Sequence, residues 1–181
     1  MKRLFLLRHA KASHHDGRDE DRILAPRGRE DAQRIGRFLR EEVYLPELVL
    51  CSTSARTRQT LELLLPELGA KPVVQYLNEL YLAESEDIAD IAKRTRDAVN
   101  SLMIVGHNPG LEECARELAS LPAERRARKR YETMAAKFST GALAVIDFEI
   151  ARWADIHPGL GELELFLRPK ELREREEHSP D

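Results

Sequence analysis

The chain has 181 residues, which is enough for one sizeable hydrophobic core but a tight fit for a second complete domain. Apolar residues make up 42% of it and charged residues 34%, and the formal charge of -3 gives no overall attraction to nucleic acid or to a membrane surface. The apolar run 4–7 is too short for a secretory signal, and no run approaches the roughly 18 apolar residues of a membrane helix. We therefore expect one soluble cytoplasmic domain with no nucleic-acid or membrane partner.

Apolar segments that end in turn or cap residues alternate with helical patterns, which is typical of βαβ units and a largely parallel sheet. The first four strands are predicted at 2–7, 48–51, 72–75 and 102–105. Three further strand-like segments, which would close the sheet or form an edge hairpin, lie at 142–148, 152–156 and 162–167. The expected fold class is α/β, a three-layer α/β/α sandwich whose mostly parallel central sheet has an antiparallel edge strand.

Helical spacing of apolar residues predicts connecting helices over 26–43, 85–99 and 108–121. We assign residues 1–168 to one domain. The nearly all-charged residues 169–181 are expected to form a frayed C-terminal tail.

Basic side chains follow three of the predicted strands. Arg8 and His9 come directly after the first strand, Arg56 lies shortly after the second, and His107 lies shortly after the fourth. Because the carboxyl ends of parallel strands share one edge of a sheet, where ligands bind, we expect these four side chains to converge.

The local sequence indicates the charge of the ligand. Arg56 and Arg58 fall in the first turn of a helix that Ser52 or Ser54 would cap, where a cation is unfavourable by roughly 0.3–1 kcal/mol unless an anion offsets it. His107 precedes another helix N-terminus, whose peptide N–H groups would face the same edge. Guanidinium forks, imidazoles and helix N-termini together suit a group with several anionic oxygens, and phosphate is the first candidate.

Other phosphate and metal motifs have little support. The sequence contains neither the Gly-x-x-x-x-Gly-Lys-[Ser/Thr] motif nor Gly-x-Gly-x-x-Gly. A cysteine phosphatase loop needs five residues between its Cys and its Arg, but only four separate Cys51 from Arg56. The segment 14–16, His-His-Asp, has no third ligand at useful spacing, which favours a solvated loop over a metal site.

The combined motifs resemble the histidine phosphatase superfamily, whose fold is phosphoglycerate mutase-like, and within it the short SixA-type phosphohistidine phosphatases. The similarity extends from residue 2 to about residue 169. The matching segments are Arg-His-Ala-Lys-Ala-Ser at 8–13, the helix at 26–39, Asn-Glu-Leu-Tyr-Leu-Ala at 78–83, Val-Gly-His-Asn-Pro-Gly-Leu-Glu at 105–112 and Phe-Ser-Thr-Gly-Ala-Leu-Ala-Val at 138–145.

The resemblance implies that His9 attacks phosphorus and becomes phosphorylated, while Arg8, Arg56 and His107 hold the phosphate oxygens. It implies no metal and no cofactor. This agrees with the physics of phosphoryl transfer, in which catalysis depends on positioning and on stabilising charge spread over the oxygens.

The resemblance also implies a carboxyl proton donor. Larger members of the superfamily use one after the third strand, where Glu79 lies, with Glu84 and Glu86 as nearby alternatives. The other interpretation of Glu79 is an ordinary surface carboxylate. The donor matters less for a phosphohistidine substrate, because a departing imidazole has an unperturbed pKa of about 6.5 whereas an alkoxide must be protonated.

The resulting expectation is a metal-independent phosphatase that acts on protein phosphohistidine through a phospho-His9 intermediate. A small-molecule phosphomonoesterase or pyrophosphatase of the same superfamily is one alternative, and a non-catalytic phosphate-binding or interaction module is another. The chain has little spare length for a lid over the site, which favours a phosphorylated protein partner, such as a histidine-phosphotransfer domain, over a small phosphorylated substrate. The basic run 125–130 is either a solvated helix face or a docking patch for an acidic partner.

Overall fold

The computed structural model of the protein describes residues 1–178. Its strands are β1 (Lys2–Arg8), β2 (Leu48–Ser52), β3 (Val73–Leu77), β4 (Ser101–Gly106), β5 (Leu143–Phe148) and β6 (Glu162–Leu167). Its α-helices are α1 (Pro26–Glu41), α2 (Ala55–Leu68), α3 (Ser85–Lys93), α4 (Gly110–Leu118), α5 (Arg125–Ala136) and α6 (Pro169–Glu177). No helix within this part of the chain combines the length and the apolar character needed to cross a membrane.

The six strands form one mixed sheet in the order β3-β2-β4-β1-β5-β6. The first four strands of the chain run parallel to one another, whereas β5 and β6 are antiparallel to their neighbours. Both faces of the sheet are covered, because Leu4 and Leu6 of β1 pack into one core cluster and Phe5 and Leu7 pack into another. The predicted α/β sandwich with an antiparallel edge is therefore confirmed.

The strand predicted at 152–156 is wrong. This segment contains a 3-10 turn at Trp153–Asp155, and the Trp153 side chain is fully buried. The backbone N–H of Trp153 donates to Asp97 Oδ1 at 2.9 Å, and its indole Nε1–H donates to the carbonyl of Val99 at 2.8 Å. The apolar character of this segment reflects one anchored side chain rather than a place in the sheet.

The three predicted helices end earlier than expected, at Glu41, Lys93 and Leu118. Two of these ends are followed by a local feature outside the apolar pattern. After α1, Val43 takes a φ of 59°, and after α4, Ala119 forms an isolated bridge with Gly161.

The segment expected to be a frayed tail begins with a packed helix. In α6, Leu172 is buried, and Arg173 Nη1 donates to the buried carboxylate of Asp31 on α1 at 2.7 and 2.9 Å. The charges of this segment pair with those of α1, so a frayed conformation is wrong for 169–177. Residues 179–181 lie outside the described residues, and the division of the chain at residue 168 stays a prediction.

Candidate active site

His9 and His107 lie side by side at the carboxyl edge of the sheet. His9 directly follows β1 and His107 directly follows β4, and these neighbouring parallel strands pair as far as Arg8 with Gly106. The two imidazole centroids are 5.4 Å apart, and the residues are only 6% and 2% exposed. The structure thus brings together the two histidines that the strand pattern singled out.

The local hydrogen bonds of His9 define its neutral tautomer. Its Nδ1 lies 2.8 Å from the carbonyl oxygen of Ala10, and because a carbonyl only accepts, Nδ1 carries the proton. The pKa of His9 is lowered to about 4, chiefly because burial penalises the cation, and the bond to Ala10 opposes this effect. Repulsion from Arg56 and Arg8 lowers the pKa further. At neutral pH, Nε2 therefore holds a free lone pair that can attack an electrophile.

His107 is held in the opposite tautomer. Its Nδ1 accepts from Arg56 Nη2 at 3.3 Å, since a guanidinium can only donate, and its Nε2 therefore donates to Ser52 Oγ at 2.8 Å. The pKa of His107 is lowered to about 3, mainly by burial and then by His9 and Arg56. Both imidazoles of the site are consequently neutral at physiological pH.

Arg56 enters the site from the first turn of α2, as predicted. Ser54 caps this helix by accepting from the N–H of Thr57, and the Arg56 side chain is only 4% exposed. Its Nη1 donates to the carbonyl of Asp19 at 2.7 Å, and its Nη2 donates to Asp19 Oδ2 at 2.9 Å. Its Nε is buried and has no hydrogen-bond partner within residues 1–178.

Arg8 occupies the last position of β1 and turns toward another loop. Its Nη1 donates to the carbonyl of Phe138 at 2.9 Å, and the same carbonyl accepts from Asn108 Nδ2 at 2.9 Å. Burial lowers the pKa of Arg8. Like Arg56, Arg8 has a buried Nε without a partner in the described part of the chain. Two buried guanidinium N–H groups without a partner are costly in a folded protein, so the burial of these two cations needs an explanation.

Asp19 and Tyr81 belong to this network, although the sequence analysis gave neither a role. Tyr81 donates its hydroxyl proton to Asp19 Oδ2 at 2.6 Å, and its ring stands edge-on to His107 with centroids 5.5 Å apart. The pKa of Asp19 is lowered to about 2, first by the Tyr81 hydrogen bond and also by Arg56. Tyr81 could have been found through the matching segment at 78–83, but Asp19 lies in a charged stretch that looks like a solvated loop.

Glu79 pairs with an exposed arginine rather than with these residues. It sits in the 3-10 turn Asn78–Leu80, its side chain is 52% exposed, and its Oε2 accepts from Arg94 Nη2 at 3.0 Å. The alternatives Glu84 and Glu86 line a cavity that neither histidine of the site lines. None of the hydrogen bonds or ion pairs of Glu79 within the described residues reaches the histidines, and its role as proton donor stays a prediction.

Two other predicted features lie on the surface. His14 and Asp16 are exposed, and within residues 1–178 no group of three or more His, Cys, Asp or Glu side chains is arranged to hold a metal ion. The basic run 125–130 forms the first half of α5. Arg128 pairs there with Glu132 at 3.3 Å, and Arg130 donates to the carbonyl of Leu163 at 2.8 Å. Both interpretations of this run, a solvated face and a docking patch, stay open.

Known proteins share this architecture and much of the sequence. A family model described as the histidine phosphatase superfamily (branch 1) matches residues 4–147. An uncharacterised protein of Mycobacterium tuberculosis is 36% identical over 165 residues, which cover 91% of this chain and 100% of the relative. The chain is thus similar along most of its length to proteins of one family.

Two solved structures are also similar to the chain. The protein assigned as phosphohistidine phosphatase SixA from Nakamurella multipartitia is 30% identical, with a TM-score of 0.79 over 93% of this chain and 96% of that one. The protein assigned as SixA from Agrobacterium tumefaciens is 33% identical, with a TM-score of 0.73 over 93% of this chain and 98% of that one. The chain therefore belongs to the histidine phosphatase superfamily, a family of hydrolases, and has the fold of its SixA-type structures.

Proposed function

We propose that this protein is a metal-independent phosphatase that hydrolyses protein phosphohistidine through a covalent intermediate on His9. In the first step His9 Nε2 bonds to phosphorus while the bond from phosphorus to the substrate imidazole breaks, and the departing imidazole takes up a proton from solvent. In the second step water attacks phospho-His9, the P–N bond breaks, and orthophosphate leaves. This division replaces one difficult displacement by two easier ones.

The protonation state of His9 is the observation that carries the proposal. Its Nδ1 proton is committed to the Ala10 carbonyl, and its pKa of about 4 keeps Nε2 unprotonated at neutral pH. His107 is neutral as well, but both of its ring nitrogens are engaged, by Arg56 and Ser52. The free Nε2 therefore distinguishes His9 as the nucleophile of the pair.

The guanidinium groups supply the charge that phosphoryl transfer requires. Arg8 and Arg56 both lie close enough to His9 for their charge to lower its pKa. Charge in the transition state spreads over the phosphoryl oxygens, and fixed donors that need no rearrangement stabilise it best. The two arginines can thus act on the phosphoryl group while Nε2 of His9 approaches phosphorus.

The available acids favour an imidazole leaving group. Asp19 has a pKa of about 2 and is therefore ionised at neutral pH, and Glu79 is engaged by Arg94. Imidazole needs less help from an acid than an alkoxide does, because its unperturbed pKa is about 6.5. The two similar structures assigned as SixA support the same choice of substrate.

Trapping of the intermediate tests the catalytic step. Brief incubation with a 32P-labelled phosphohistidine protein followed by denaturing alkali should leave one acid-labile label on the enzyme, and His9→Ala should abolish it. His157 offers a matched control, since its Nδ1 also lies close to the next carbonyl, that of Pro158, at 3.1 Å, but the residue is exposed. A label retained by His9→Ala, or lost equally in His157→Ala, would refute the assignment.

A substrate panel tests the specificity. Turnover in the presence of a chelator should be at least tenfold faster on a phosphorylated histidine-transfer domain than on sugar phosphates, nucleotide phosphates or pyrophosphate. Faster turnover of a small ester would establish the small-molecule alternative instead. No turnover of any compound, together with phosphate binding, would indicate the non-catalytic module.

A further inference from the structure

A basic cavity of about 200 Å³ lies next to the loop that contacts the catalytic residues. The cavity is formed by the start of α1, the start of α6 and the segment between α5 and β5. Its charged lining residues are Arg27, Asp31, Lys137, Arg168, Lys170 and Arg173. We call it the basic cavity.

The charges around the basic cavity are not balanced within it. Five cations line it but only one carboxylate, that of Asp31, which is 4% exposed and pairs with Arg173 at 2.7 Å, with Arg34 at 3.4 Å and with Arg27 at 3.9 Å. Beside the cavity, Arg168 pairs with Glu171, and Lys170, which is 72% exposed, reaches Glu174 only at 3.6 Å. Lys137 has no ion pair within residues 1–178, so Lys137 and Lys170 are the cations best placed to attract an anion.

One wall of the basic cavity belongs to the loop that holds the site. Ser139 and Thr140 line the cavity, while the residues on either side of them contact the catalytic residues. The carbonyl of Phe138 accepts from Arg8 at 2.9 Å, and the N–H of Gly141 donates to the carbonyl of His9 at 2.8 Å. Consecutive Cα atoms are about 3.8 Å apart, so the Cα atoms of Ser139 and Thr140 lie within roughly 11 Å of those of Phe138 and Gly141.

The same loop also packs against the start of α6. Gly141 has a φ of 74°, and a side chain there would approach Pro169 Cγ to 2.6 Å. The next residue of α6 is Lys170. The peptide loop that contacts His9 therefore touches the helix that carries two of the cavity's cations, Lys170 and Arg173.

We propose that the basic cavity binds an acidic side chain of the phosphoprotein substrate, two to four residues from the phosphohistidine, and so selects substrates with an acidic flank. This inference rests on the proposed function, because it names the surroundings of the phosphohistidine that the enzyme would prefer. An extended peptide advances about 3.3–3.6 Å per residue, so two to four residues span roughly 7–14 Å, which matches the separation between Ser139–Thr140 and the contacts to Arg8 and His9. Attraction between exposed charges raises the rate of encounter and fixes orientation.

Paired peptides provide the test. Two phosphohistidine peptides of equal length, one with glutamates and the other with glutamines at positions two to four from the phosphohistidine, are hydrolysed at low ionic strength. We expect kcat/KM for the glutamate peptide to exceed that for the glutamine peptide about fivefold, which is the size of a partly exposed ion pair. At 0.5 M salt the ratio should approach one, because salt screens such pairs.

Charge reversal assigns the effect to the cavity. The double variant Lys137→Glu/Lys170→Glu should reduce the ratio to one or below. Lys71→Glu is the matched control, because Lys71 is exposed and lies just before β3, at the opposite end of the parallel strands, and it should keep the wild-type ratio. Thermal unfolding of each variant checks that the fold is intact.

The possible outcomes separate this inference from the proposed function. If the wild type hydrolyses both peptides equally, or if the double variant keeps the fivefold ratio, the acidic-flank proposal is wrong while the phosphohistidine activity stands. If neither peptide is hydrolysed although small esters are turned over through His9, the substrate proposal itself fails, and the role of the basic cavity fails with it.

Discussion

Asp19 and Glu79 each accept a short hydrogen bond from an arginine, and these two arginines differ greatly in burial. Asp19 Oδ2 lies 2.9 Å from Arg56, and Glu79 Oε2 lies 3.0 Å from Arg94. The two distances are nearly equal, but the Arg56 side chain is 4% exposed and the Arg94 side chain is 63% exposed. An exposed pair contributes little, whereas a buried cation depends strongly on its partners. The two carboxylates are similarly exposed, at 46% and 52%, so it is the burial of the cation that distinguishes the pair beside the histidines.

The largest difference between the two regions should appear when each arginine is removed. Arg56→Ala deletes a buried donor next to His107, and we expect kcat/KM to fall about 10³-fold, whereas Arg94→Ala should change it less than about twofold. Steady-state kinetics on the phosphohistidine protein measure both values. Arg56→Lys keeps the charge but loses the paired N–H donors of the guanidinium, and it should recover part of the activity. Such a recovery would show that the alanine variant does not merely unfold.

Comparable losses in Arg56→Ala and Arg94→Ala would contradict the comparison. They would place Glu79 and its partner in the same functional unit as the histidines. A small effect of both substitutions would mean that neither arginine contacts the transferred group.

The pH dependence of stability should also distinguish the surroundings of Asp19 from those of Glu79, because the buried imidazoles of His9 and His107 lie near Asp19. A histidine whose folded pKa is lowered takes up a proton more readily when unfolded, so stability falls as pH drops from about 6.5 toward the folded pKa. For His9, with a folded pKa of about 4, the loss approaches about 3 kcal/mol. Asp19 adds its own loss at lower pH, below its ordinary pKa of 3.8.

Urea unfolding between pH 7 and pH 4 measures this loss. His9→Gln removes one titrating group. The stability lost between pH 7 and pH 4 should therefore be smaller than in the wild type by more than half of the loss attributed to His9. An unchanged slope in His9→Gln would show that folding does not lower the pKa of His9, which would remove the main support for its proposed role as nucleophile.

Asp19→Asn should produce an intermediate effect. Asp19 binds two nitrogens of Arg56 through its carbonyl and its carboxylate, and an amide keeps the shape but weakens the charged bond. We expect kcat/KM to fall about tenfold, with the His9 adduct still formed in a trapping experiment. A loss as large as that of Arg56→Ala would give Asp19 a direct part in the chemistry.

Glu79→Gln should have the smallest effect on phosphohistidine hydrolysis, less than about twofold, because the side chain is half exposed and bonded to Arg94. Parallel measurements on an alcohol phosphomonoester test the donor role that the resemblance implies. If Glu79 protonates the leaving group, the ester reaction should slow at least tenfold while phosphohistidine hydrolysis is spared. Equal losses on both substrates would remove the distinction.

Much of this architecture could be predicted because it follows from strand ends. Apolar runs identified β1, β2 and β4, and the parallel arrangement then required the groups after them to meet, which is how Arg8, His9 and His107 came together. Arg56 followed from the helix cap at Ser54. These inferences use short stretches of sequence and one general rule of sheet geometry.

The remainder depended on contacts between distant residues. Asp19 meets Arg56 across 37 positions through side-chain geometry, and no periodic pattern records such a contact. Charged residues 169–177 looked solvated because their partners on α1 are far away in sequence. Trp153 suggested a strand because burial of one large side chain and burial of a strand leave similar local patterns.

The backbone around His9 has a consequence for how activity and folding are linked. β1 lies between β4 and β5, and at its end the N–H of His9 donates to Gly106 while its carbonyl accepts from Gly141. These bonds continue the ladders of a central strand, so the amide protons of His9 and Gly141 should exchange with deuterium more slowly than those of the outer strands. The proposed nucleophile is thus held by the middle of the sheet, and fraying at the outer strands should leave its geometry intact.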